Sequence, residues 1–91
     1  MVSEPEKLLA RHELLIHSDL RKVVSHVQRE SGQWIVNTVM IEGQDVPFRY
    51  KRKKEYKSLV GANVNLTYYA STENLAGVEL EVMKVVRIRR S

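Results

Sequence analysis

Cysteine is absent from the 91 residues. That excludes disulfides, thiolate metal sites and a cysteine nucleophile, and it fits a reducing compartment. Glycine occurs only four times. Gly32, Gly43, Gly61 and Gly77 lie too far apart for a phosphate-cradling loop. Histidine occurs three times. His12 and His17 are five positions apart, which misses the i, i+4 spacing of a helical metal pair. Asp19 beside His17 supplies one carboxylate, and no Ser, His and Asp grouping stands out. Neither enzymatic activity nor a metal or cofactor is therefore expected. No apolar run approaches the ~20 residues of a membrane-spanning helix. Residues 1–7 lack a basic region followed by an apolar core, so no secretory signal is expected. A cytoplasmic protein is the expectation. With 43% hydrophobic residues, the chain is a folded domain and not a disordered tail.

The charge is unevenly placed. Residues 1–20 carry Glu4, Glu6, Glu13 and Asp19 against Lys7 and Arg11, a net −2. Residues 49–57 carry Arg49, Lys51, Arg52, Lys53, Lys54 and Lys57 against Glu55, a net +5, more than the +4 of the whole chain. Residues 58–83 return −3 through Glu73, Glu79 and Glu81, and Lys84, Arg87, Arg89 and Arg90 add +4. Two concentrated basic blocks make a patch if the fold brings them together.

Residues 46–57 organise the rest. Val46, Phe48 and Tyr50 alternate with Pro47, Arg49 and Lys51, the period of a half-buried strand. Phe48 and Tyr50 share the register of Val46 and are expected in the core. Arg49, Lys51 and Lys53 line the opposite face, and Arg52 continues the inner row as it leaves the core.

Upstream, residues 3–16 have a helical pattern. Ser3 and Glu6 have capping-box spacing, Pro5 sits in the first turn, and Leu8, Leu9, His12, Leu15 and Ile16 form an apolar stripe. Residues 18–31 fit either a strand or a second helix, and the adjacent Val23 and Val24 favour the strand. Glu30 to Gln33 then reads as a tight turn. Trp34–Ile41 is a strand, residues 42–45 a turn, and residues 55–60 at most a helical turn ended by Gly61. In residues 63–70, Val64, Leu66, Tyr68 and Ala70 face one way and Asn63, Asn65, Thr67 and Tyr69 the other. Residues 71–77 read as a polar loop. Val78 to Ile88 reads as a last strand in which Val78, Leu80, Val82, Val86 and Ile88 share a register that Lys84 breaks at a bulge.

The order, with the pairs Val23–Gln28 and Trp34–Ile41, the Ser31-Gly32 turn, Gly43, the strand from Val46 to Lys51, Leu59-Val60-Gly61 before Val64–Tyr69, and Val78–Ile88, resembles the OB-fold superfamily. The resemblance covers about residues 19–90. It implies a mainly β, five-stranded barrel domain over residues 19–91. The helical pattern upstream makes residues 1–18 an N-terminal α-helical extension, which departs from the usual form of that fold, as does the short connector at residues 55–60. The alternative is an α+β arrangement, two N-terminal helices packed on a four-stranded antiparallel sheet. In an OB-fold the middle strands and the loops joining strands 1–2 and 4–5 form the ligand face. That implies Arg29 and Trp34 near the first loop, Arg49, Lys51 and Lys53 on the strand, and Tyr69 near the second.

The basic stretch interleaves cations with flat side chains, which is what a polyanion with stacking bases requires. The expected function is non-enzymatic nucleic-acid binding, to single-stranded DNA or RNA, since no basic recognition helix is visible. Arg49, Lys51, Arg52, Lys53, Lys54 and Lys57 would contact phosphates, flanked by Arg87 and Arg89. Trp34, Tyr56 or Tyr69 would stack on bases, Trp34 otherwise being a core or rim residue. The alternative is a protein–protein interaction or assembly module, or a homodimer, using the apolar stripe of residues 3–16. Anionic membrane is not an expected partner, because the basic stretch reads as strand and not as amphipathic helix.

Overall fold

The structure is a computed structural model, and it describes residues 15–91. Five strands make up most of it: β1 Ile16–Ser31, β2 Trp34–Ile41, β3 Phe48–Arg52, β4 Asn63–Leu75 and β5 Val78–Arg90. They hydrogen-bond in a closed ring, β1-β2-β3-β5-β4, with β4 returning to β1. All pairs are antiparallel except β3 with β5. Residues 18–31 are thus strand, which removes the arrangement with two helices on four strands. The helix expected at residues 3–16 lies outside the described residues except for its end, and there Ile16 is already in β1, paired with Tyr68. The strand therefore begins ahead of the boundary expected at residues 18 and 19.

The apolar alternation explains which face β3 and the first part of β4 turn inward. Val23, Val39, Ile41, Phe48, Val64, Leu66, Tyr68 and Ile88 form one buried cluster, with Tyr50, Leu59, Met83 and Val85 packed against it. The Phe48 and Tyr68 rings meet edge to face at 4.8 Å between centroids. Each fully buried side chain of this kind contributes roughly 1.5–3 kcal/mol relative to exposure. Ala70, expected in the same row as Tyr68, is exposed; the pairing of β4 with β1 ends at Tyr68, so no β1 residue stands beside it.

Three irregularities bend the long strands. Against β2, Val23 faces Ile41 and Ser25 faces Met40, so Val24 is an extra residue of β1. In β1, Ser18 faces Leu66 and Arg21 faces Val64, so two residues of β1 stand opposite one of β4. Leu20 takes φ 54 there, and its N–H donates to Asn65 Oδ1 at 3.0 Å. In β5, Tyr68 faces Val85 while Thr67 faces Arg87, so Val86 is the extra residue. The bulge falls two residues beyond Lys84, and this changes the expected register. The row turned to the core is Met83, Val85 and Ile88, and Val86 is 60% exposed. Val82 is buried on the other face, beside a small cleft lined by Pro47, Leu75 and Leu80.

Residues 71–75, expected as loop, are strand. Thr72 pairs with Glu81, Glu73 with Leu80 and Asn74 with Glu79, forming a two-stranded arm beyond the ring. Much of its surface is open to water, so Ser, Thr, Glu and Asn suffice and no apolar alternation marks it. Ala76 and Gly77 close it with φ 52 and 83, the paired positive values of a type I′ hairpin turn.

Residues 53–62 contain no helical turn. They lie against β1 as an extended connector. Gln28 donates through Nε2 to the Tyr56 carbonyl at 2.7 Å and accepts the Tyr56 N–H at Oε1 at 3.2 Å. The Gly61 N–H donates to the Val23 carbonyl, and the Val23 N–H to the Ala62 carbonyl. The Leu59 N–H donates to His26 Nδ1 at 3.0 Å, so that nitrogen carries no proton, and Nε2–H donates to Asn37 Oδ1 at 2.8 Å. Asn37 is 2% exposed, and its amide also donates to the Ile35 carbonyl. His26 is therefore a structural bridge between β2 and the connector.

Candidate functional site

The seam between β3 and β5 is short. The strands pair at Phe48↔Met83 and Arg49↔Lys84, and the Met83 N–H donates to the Pro47 carbonyl. Past Lys84 the bulge at Val86 turns β5 away, since an extra residue bends a strand and raises its twist. An open notch results, lined by Tyr50, Lys51 and Arg52 on one side and Val85 to Arg89 on the other. It brings Lys51, Arg52, Arg87 and Arg89 together with no carboxylate in the lining. None of the four forms an ion pair among the described residues. Lys51 and Arg52 from the first basic block of the sequence and Arg87 and Arg89 from the second thus meet at one place.

Aromatic groups hold part of this charge. The Arg52 guanidinium carbon lies 5.4 Å from the Tyr50 ring centre and 5.3 Å from that of Tyr56. Both are cation–π distances. Tyr50 is half-buried at the floor of the notch. Burial pushes its phenol above the ordinary tyrosine range, and the charge and hydrogen bond of Arg52 pull partly the other way. Tyr56 is exposed. At the β1–β2 corner, Lys53 Nζ stands 5.6 Å from the Trp34 ring centre. Trp34 is 42% exposed, a rim residue with a ring face covered by an ammonium group. Lys54 and Lys57 are exposed on the connector, and neither lines the notch.

A second cleft continues from the first along the outer face. It is lined by Arg49, Tyr50, Lys51, Tyr69, Glu73, Lys84, Val85 and Val86. Arg49 is not an unpaired cation here. Its guanidinium donates through Nη1 to Glu73 Oε2 and through Nε to Thr38 Oγ1 at 3.2 Å. Lys84 Nζ lies 3.6 Å from Glu73 Oε1. Beyond Arg49 a shallow groove runs between the β1–β2 corner and the arm, lined among others by Val27, Arg29, Val36, Thr38 and Leu75.

Of the expected site residues, Lys51, Arg52, Arg87 and Arg89 share the notch, with Tyr56 joined through Arg52. Arg49 and Tyr69 share the neighbouring cleft, and Trp34 and Lys53 stand apart at the corner. Sequence reasoning missed Lys84, Glu73 and the floor position of Tyr50. Lys84 carried a signal, a cation interrupting an apolar row. Glu73 carried none, because its partners come from other strands. Among the described residues no three His, Asp or Glu side chains cluster in a way that could hold a metal. His17 pairs instead with Asp19 at 3.1 Å and Thr67 at 2.8 Å. No helix of the described residues is long and apolar enough to cross a membrane. Comparison with known protein families, curated proteins and solved structures finds no match.

Proposed function

We propose that this chain binds single-stranded nucleic acid without catalysis, with the β3–β5 notch as its principal contact. The supporting observation is the meeting of Lys51, Arg52, Arg87 and Arg89 in a carboxylate-free cleft. Such cations neutralise phosphates and release counterions, the main source of affinity for a polyanion. Tyr56, exposed and adjoining Arg52, offers a face for stacking. The OB-fold resemblance of the sequence points to the same side, since in that fold ligands lie on the face of strands 2 and 3 and on the flanking loops. A single strand fits better than a duplex. The described residues offer no helix to enter a groove, and the two-stranded arm carries Glu79 and Glu81, which phosphates repel.

The test is fluorescence anisotropy with labelled single-stranded DNA and RNA of ~16 nucleotides, the upper range for one barrel of this kind, across a salt series. Four phosphate contacts at ~0.7 each give a log–log salt slope of about −3. Reversing Lys51→Glu together with Arg87→Glu removes binding and shifts stability by no more than about 0.5 kcal/mol, as for exposed positions. Unchanged affinity in that variant sinks the assignment of the notch.

A further inference from the structure

The cleft beside the notch contains a feature that the four-cation notch does not explain. Arg49 and Lys84 are register partners across the β3–β5 seam, so two cations stand side by side. Like charges in that position repel. Glu73, on the arm, reaches back and bridges them, one carboxylate oxygen to each. Its side chain keeps about 30% of its surface in water, so an anion in solution can compete for the same donors. The bridged pair also lies on a continuous path. Tyr50, Lys51, Val85 and Val86 line both the notch and this cleft, and Arg49 also lines the groove that leads on past Thr38.

We infer that Arg49 and Lys84 form a second phosphate position, occupied in the free protein by the Glu73 carboxylate and taken over by a strand long enough to run beyond the notch. This rests on the reading of the notch as a single-strand site. A carboxylate bridging two cations presents the same acceptor chemistry as a phosphate, and a guanidinium accepts either in its planar fork. A short ligand held in the notch never meets Glu73. A long one must break the Glu73 contacts and gains two cations in exchange. Glu73 thereby sets a length threshold.

The test compares wild type with Glu73→Gln, a near-isosteric change that removes only the charge. Anisotropy at low salt is measured with oligothymidylates of ~4 and ~16 nucleotides, the two ends of the range for one such barrel. The expected result is a gain of about two- to fivefold for the long strand in Glu73→Gln, the cost of breaking partly exposed ion pairs, with the short strand unchanged. Lys84→Gln is expected to weaken the long strand only. Glu79→Gln removes one negative charge from the same arm but away from the path, and it is expected to leave both affinities as in wild type. An equal gain for both lengths, an equal gain in Glu79→Gln, or no gain for the long strand overturns the inference while leaving the notch intact. If wild type and Glu73→Gln bind neither length, the notch reading falls, and this inference with it. Circular dichroism melting of each variant checks that the arm remains folded.

Discussion

Tyr50 shows how one side chain serves two purposes. Its position on the inner row of β3 packs the ring against the core, while its edge forms the floor of a cationic notch. Partial burial disfavours the phenolate, so the folded state holds the proton more tightly than the unfolded chain. Stability is then intact below about pH 10, the ordinary tyrosine value. It falls as pH rises above that value, because the unfolded chain ionises first. The expected outcome is a steeper alkaline loss of melting temperature in wild type than in Tyr50→Phe, measured from pH 9 to pH 11 (chosen to bracket the ordinary value). Phe48, two residues earlier, is 1% exposed and has no polar edge. Phe48→Ala should cost about 3–5 kcal/mol in urea unfolding; a loss below about 1 kcal/mol would mean that the ring does not fill the core. Both inward positions were legible from the alternation with Val46. The contact between Arg52 and the two tyrosine rings was not, because Tyr56 reaches Arg52 only after the connector folds back on β1.

At the scale of elements, the β4–β5 arm is where composition misled. Ser71 to Leu75 has the residues of a loop, yet it is paired throughout. Its turn holds Ala76 at φ 52, a left-handed conformation that costs a residue with a Cβ roughly 1–2 kcal/mol and that asparagine tolerates better. Ala76→Asn should therefore stabilise the hairpin by about 0.5–1 kcal/mol, or a few degrees of melting temperature in a domain of this size. A lower melting temperature would show that the turn has another geometry. The opposite hairpin was easier to read. Gly32 at φ 62 between Ser31 and Trp34 stands where a two-residue turn needs positive φ, and the flanking strands alternate clearly. The connector fell between these cases. Its brevity was plain, but its extended form depends on Gln28 and His26, which supply the hydrogen-bond partners that a helix would have found within itself.

For the whole molecule, the proposed ligand and the fold are linked. The notch exists only when β3 and β5 are both in the ring, so a strand that binds it stabilises the closed form. Oligonucleotide at ~100 times its dissociation constant should raise stability by about 2.7 kcal/mol. That corresponds to a rise in melting temperature of about 10 °C or more for a domain of this length. A melting temperature independent of the oligonucleotide would contradict a site built across the seam. The sequence by itself determined the strand-rich architecture of the described residues, the inward rows of β3 and the ring-paired part of β4, and the existence of two basic blocks. Those properties follow from local alternation and from composition, which each segment carries on its own. Only the tertiary structure decided that the blocks meet, that Glu73 bridges Arg49 and Lys84, and that β5 turns a different row inward after Val86. A parallel pairing between strands some 35 residues apart leaves no local pattern, and one bulged residue reverses the facing of everything beyond it.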